Sequence, residues 1–154
     1  MANTYTQLYT HYVFAVQDRH SLIQNVWQEE LFKYITGIVE KQESKLYVAG
    51  GVPDHIHLLV SMNPKQAPSD LMYHIKRSSS LWINENGLAK GRFAWQEGFG
   101  AFSCNKKQIP ITAGYIINQP AHHKKKSFLE EYKGLLDENG ILFDEKYIFK
   151  TVEG

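Results

Sequence analysis

Apolar and polar positions along the chain follow two different periods. Residues 6–16, "TQLYTHYVFAV", are dense in β-branched and aromatic side chains and predict a first strand. Over residues 25–43 the period lengthens. Trp27, Leu31, Tyr34, Ile35 and Ile38 recur three and four apart with Glu and Lys between them, which predicts an amphipathic helix. Residues 45–50 read as a second strand, "GGVPD" as a turn built on Gly50, Gly51 and Pro53, and residues 55–62 as a third strand. Pro68 and Ser69 open a second helix that carries Leu71, Ile75, Ser79 and Trp82 along one face and ends at Gly87. "RFAWQEGFGAFSC", residues 92–104, predicts one or two short strands broken by glycines. A third helix should reach about Gln119, "FLEEYKGLLDENG" predicts a short helix ending at Gly140, and 141–149 reads as a docking tail.

The order β-α-β-β-α-β-α predicts an α+β class, a ferredoxin-like plait whose antiparallel sheet carries helices mainly on one face. The turn between strands two and three is too short for a parallel crossover, so those strands pair antiparallel. No linker divides the chain, which reads as a single domain over 1–154 with 122–154 as a C-terminal tail. Hydrophobic residues make up 43% and aromatics 13%, enough for a packed core and too much for disorder. Net charge is +1, so any site for a polyanion must be local. The single cysteine, Cys104, excludes an internal disulfide and a multi-cysteine zinc site. No apolar run approaches about 18 residues and no charged-then-apolar leader is present. The expectation is a soluble, cytoplasmic protein with no membrane partner.

Candidate chemistry lies in "GVPDHIHLLVSM", Gly51 to Met62. Strand side chains alternate faces, so His55 and His57 project together while Ile56, Leu58 and Val60 point to the core. The histidine face is expected to be the open side of the sheet, away from the first two helices. Alternate residues stand about 7 Å apart, close enough for two imidazoles to share a divalent cation. The plain alternative is a pair of hydrogen-bonded or stacked histidines. Farther on, Tyr115 and Gln119 sit four apart on the predicted third helix and share a face. The amide oxygen can serve as a third metal ligand and the phenol as a nucleophile. A phenol with a pKa near ~10 needs a neighbouring cation or base to act so. "HHKKK", His122 to Lys126, can hold a phosphate backbone or be a solvated patch.

In order and spacing, "THYVFAVQDR", "GGVPDHIHLLVSM", "HIKRSSSLWI", "FAWQEGFGAFS" and "YIINQPAHHKKKSFLEEY" resemble the single-tyrosine HUH transposases, the TnpA family of single-strand insertion sequences, including the REP-associated tyrosine transposases. The resemblance implies roles residue by residue. His55 and His57 match the metal ligands, Tyr115 the nucleophile and Gln119 the third ligand. It implies a compact plait with the catalytic helix near the C-terminus, a homodimer in which that helix can complete the partner's site, and Mg²⁺ or Mn²⁺ as cofactor. The implied substrate is single-stranded DNA with foldback hairpins, cleaved and rejoined through a 5′-phosphotyrosine. Cations available for DNA are Lys76, Arg77, Arg92, Lys124, Lys125 and Lys126, with Trp82 and Trp95 as candidate stacking platforms. Two alternatives remain: a domesticated single-strand endonuclease, and a plait-fold binding module without catalysis. No general base is evident. Asp54 is a candidate, though its place suggests a turn residue.

The third helix departs from the family pattern. Asn105 and Gln108 read as a capping box, which puts Pro110 inside the helix; either the helix starts near Pro110 or its first turns are bent. Pro120 should kink or end it. Gly114 weakens it by about 1 kcal/mol relative to Ala. These breakers read either as a hinge for the tyrosine or as drift.

Overall fold

The computed structural model describes residues 3–18 and 22–149. Arg19, the end of "THYVFAVQDR", and the last part of the tail, 150–154, lie outside the described residues. The elements are β1 (Tyr9–Ala15), α1 (Asn25–Lys41), β2 (Lys45–Val52), β3 (His55–Ser61), α2 (Pro68–Glu85), β4 (Gly100–Cys104), α3 (Ile109–Ile117), α4 (Gln119–His122) and α5 (Phe128–Glu138). The four strands form one sheet in the order β2-β3-β1-β4, every pair antiparallel. This is the split βαβ plait that the element order predicts. Of 92–104 only β4 is a strand; Trp95 contributes a single bridge to Val16. No helix among the described residues is long and apolar enough to cross a membrane.

One sheet face carries Tyr12, Phe14, Ile56, Leu58 and Val60, all fully buried. Against it lie the apolar stripes of α1 (Trp27, Leu31, Ile35, Ile38, Val39) and α2 (Leu71, Met72, Ile75, Ser79, Ile83). Trp95 belongs to this core: it is 8% exposed, packs on Phe14 at 4.6 Å, and its indole N–H donates to Ser79 at 3.0 Å. It is therefore not a platform for bases. Trp82 is half-buried and stacks on Tyr34 at 4.7 Å.

The expectation of an open histidine face is corrected. His55 and His57 have no exposed surface, because α3, α4 and α5 cover that side of the sheet. The backbone explains how. Gly50, His57, Val13 and Gly100 form one row across the four strands. A Cβ on Gly50 would stand 2.2 Å from the backbone oxygen of Ile116, and one on Gly100 would stand 2.8 Å from the Tyr132 ring. A missing side chain at each end of the row thus lets α3 rest on β2 and α5 on β4. Ile116 then packs on Leu59 and Tyr9.

The prolines fit their places. Asn105 and Gln108 form the predicted capping box, but it closes a short 3-10 turn, Lys106–Gln108. α3 begins after it, with Pro110 in its first turn, where a missing N–H is harmless. α3 ends at Ile117. Gln119, expected as the last residue of that helix, instead opens α4, with Pro120 in its first turn.

Two glycine substitutions should separate close approach from open space. Gly50→Ala meets backbone and is expected to destabilise by about 1–3 kcal/mol. Gly114 has nothing within 4 Å of an added Cβ. Gly114→Ala should therefore stabilise by about 1 kcal/mol through helix propensity. Urea midpoints check both; an unchanged midpoint for Gly50→Ala would remove the helix–sheet contact from the account.

Candidate active site

The β2–β3 turn and β3 deliver the two histidines. Alternation along β3 points both rings beneath α3 and α5, as its H-x-H pattern requires. Each ring is held from behind. His55 Nδ1 lies 2.7 Å from Asp54 Oδ1, and the ring stacks on Phe128 at 3.9 Å. His57 Nδ1 lies 2.8 Å from Nε2 of His11, a β1 residue that faces the same side. Both Nε2 atoms are thereby turned to one point, as in imidazole ligands whose outer nitrogen donates to a supporting group.

At that point lies the carboxylate of Glu131, on the buried face of α5 between Phe128 and Tyr132. Its Oε1 is 3.1 Å from His55 Nε2, 3.3 Å from His57 Nε2 and 3.0 Å from His123 Nε2. Its Oε2 accepts from the Gln119 amide at 2.8 Å and from the Tyr115 hydroxyl. Gln119 is fully buried, and its Oε1 lies 3.2 Å from His55 Nε2. The Tyr115 ring stands 5.7 Å from His57 and 4.8 Å from His122. Tyr115, Gln119 and both histidines therefore meet within one chain, although a break separates α3 from α4.

The electrostatics follow from burial against pairing. Burial pushes the Glu131 carboxyl up, but its contacts with the ring nitrogens of His123, His55 and His57 outweigh it and hold the group far below the carboxylate range. Burial also lowers His57, to about 4, and His11, to about 3. His55 goes the other way: burial lowers it, yet Asp54 and Glu131 raise it above the usual imidazole value. Burial, then the Glu131 hydrogen bond, push the Tyr115 phenol far above its ordinary value, so it rests protonated.

The donor set fits a cation. With Nδ1 donating to Asp54, the Nε2 of a neutral His55 is a lone pair facing two oxygens, Gln119 Oε1 and Glu131 Oε1. A proton or a metal ion must lie between them. His55, His57 and Glu131 each offer one ligand atom, all within 4.8 Å of one another. Two imidazoles and a carboxylate suit a divalent ion that keeps open positions.

The predicted DNA cations divide into two groups. Lys124, Lys125 and Lys126 are exposed beside the centre, after α4. Lys76, Arg77 and Arg92 lie on or near α2, across the sheet. Lys76 is half-buried, and its ammonium donates to the carbonyls of Gln96 and Gly98, an engagement that competes with a phosphate. Burial lowers its pKa to about 8.

Three residues of the centre escape the sequence reading: His11, His123 and Glu131. Glu131 carried a signal, being a carboxylate on the stripe of Phe128, Tyr132 and Leu136. His11 carried one only once the β1–β3 register is known, and His123 lay within a run read as phosphate-binding.

The support behind His55 is testable. Asp54→Asn keeps the turn but weakens the hold on the imidazole, and should lower Mn²⁺ affinity by about 10–100-fold in a calorimetric titration. Equal affinity in variant and wild type would remove Asp54 from the centre.

Comparison with known proteins bears on this arrangement. The family described as IS200-like transposase matches residues 4–119. No curated protein matches the chain. A proposed transposase from Deinococcus radiodurans R1 shares the fold with a TM-score of 0.61 at 19% identity, covering 77% of this chain and 95% of that one. A REP-associated tyrosine transposase solved with a REP hairpin gives 0.59 at 17% identity, covering 80% of this chain and 73% of that one. At such identities the likeness to these structures is one of fold. The family match, spanning most of the sequence from before β1 to the start of α4, makes the protein a member of the IS200-like transposases.

Proposed function

We propose that the protein cleaves and rejoins single-stranded DNA by transesterification, with Tyr115 as nucleophile and His55, His57 and Gln119 as metal ligands joined by Glu131. One observation carries the reading: the Tyr115 hydroxyl and both β3 imidazoles converge on the same carboxylate. A hairpin in the solved REP-associated relative supports single-stranded DNA with foldback hairpins as the partner. One chain supplies every group of the centre, so a homodimer would serve to hold two DNA ends.

A divalent ion bound here, Mg²⁺ or Mn²⁺, would supply Lewis-acid stabilisation of charge on the non-bridging phosphoryl oxygens. The chain's own residues do the rest. Glu131 fixes the phenol oxygen, and an opening of about 280 Å³ bordered by Tyr115, His122 and Lys126 admits the backbone to it. The Tyr115 oxygen attacks phosphorus, the P–O3′ bond breaks, and the departing 3′ oxygen takes up a proton from solvent. The phenolic proton leaves along its hydrogen bond to Glu131. Glu131 borders the same opening, and it passes the proton on to solvent there. Energy stays in the phosphotyrosine ester, ready for attack by a second 3′-hydroxyl.

Incubating the protein with Mn²⁺ and single-stranded DNA from the gene's flanks should give a DNA adduct that survives denaturant. Tyr115→Phe should abolish it. An adduct of equal yield in Tyr115→Phe would assign the nucleophile elsewhere, and no adduct from wild type would favour a binding module.

Glu131→Gln keeps the side chain's shape and removes its charge. It should slow single-turnover cleavage by about 10²-fold. Cleavage at the wild-type rate would leave Glu131 a purely structural group.

A further inference from the structure

A second, larger opening borders the centre on its other side. It holds about 570 Å³ between the start of α1, the β2–β3 turn and the α4–α5 connection. That volume suits a ligand of nucleoside size, since small-molecule pockets run from roughly 300 to 1,000 Å³. Leu22, Val52, Pro53, Pro120 and Leu129 give it apolar walls. Asp54, His123 and Phe128 line it as well, and each also touches a residue of the centre: Asp54 and Phe128 contact His55, and His123 contacts Glu131.

We propose that this groove takes one nucleobase of the DNA strand next to the scissile phosphate, and prefers a base that carries an exocyclic amine. The proposal rests on the transposase reading and names a substrate feature of the same site. Apolar walls suit the flat faces of a base. Polar groups line it too: the Asn25 and Gln28 amides on the first turn of α1, the second already donating to the Gly51 carbonyl at 3.4 Å, and the Asp54 carboxylate. One Asp54 oxygen accepts from His55, and the side chain keeps 37% of its surface exposed. An ionised carboxylate only accepts hydrogen bonds. It therefore favours the amino groups of cytosine, adenine or guanine over thymine, whose one edge donor, N3–H, is flanked by two carbonyl oxygens that a carboxylate repels.

The charge pattern orients the rest of the nucleotide. Lys124 and Lys126 stand exposed at this groove and match a phosphate. Lys126 lines both openings, the nucleoside-sized one and the one at Tyr115 and His122. A strand with its base in the groove would carry its phosphate past Lys126 toward the phenol. A chain of net charge +1 would thus have its phosphate-holding lysines where the backbone must pass.

Methyl chemical-shift titrations of the full chain in Mg²⁺ test this, with dCMP, TMP and inorganic phosphate as probes. We expect dCMP to move the methyls of Leu22, Val52 and Leu129, TMP to bind at least about fivefold more weakly, and phosphate alone to leave those methyls unmoved. Gln28→Trp should block dCMP. Because that variant fills a packed position, Lys124→Glu at the exposed rim provides a second test and should weaken dCMP binding without touching the walls. Equal binding of TMP and dCMP, shifts with phosphate alone, or dCMP binding unaltered in both variants would overturn the proposal. An oligonucleotide that binds the groove no better than dCMP would assign it to free nucleotides and likewise overturn it. The two readings fail separately. A Tyr115 adduct without groove shifts sinks the base pocket alone. Groove shifts with an oligonucleotide that never forms an adduct sink the cleavage reading alone.

Discussion

A carboxylate buried among imidazoles holds the histidine side of this protein together. Glu131 is 3% exposed, and an unpaired carboxylate in such a place would be strongly unfavourable. Here three ring nitrogens, an amide and a phenol surround it. Those partners come from β3, α3, α4 and the connection after α4, so one charged group ties α5 to a strand and to both helices before it. The arrangement works only because the sheet is thin at Gly50 and Gly100, where α3 and α5 approach the backbone. Packing and chemistry thus share one constraint: the helices must come close enough for their polar groups to satisfy each other.

The sheet divides the labour. One face buries Phe14, Ile56 and Leu58, with the phenol of Tyr12 among them, under α1 and α2. The other buries histidines, a glutamine and a glutamate. The apolar side supplies the stability that permits a polar interior on the reverse. It also explains Lys76, whose ammonium closes the loop at Gln96 and Gly98 across the sheet from the chemistry.

Much of this was legible in the residues, and the parts that were not share a cause. The element order, the hairpin at Pro53 and the H-x-H alternation are local patterns, and each is found where its period places it. Tyr115 and Gln119 were readable as one face of one helix, and they do converge, although α3 ends at Ile117 and Gln119 opens α4. Glu131 and His11 were hidden because their meaning is non-local. Glu131 reaches His55 across 76 positions and His11 reaches His57 across 46. Only the fold brings such pairs together, and a helical stripe by itself does not say which sheet face it will cover. Trp95 illustrates the converse: an aromatic near cations suggested stacking on DNA, whereas its indole is spent on Ser79 in the core.

The position of Glu131 late in the chain has a consequence for biosynthesis. Domains emerge from the ribosome N-terminus first, at about 5–20 residues per second. All four strands and α3 precede α5, so the sheet can assemble while its last helix is still being made. For that interval the imidazoles of β3 lack their cover of α5, and Glu131 arrives last, to a pair of rings already in place.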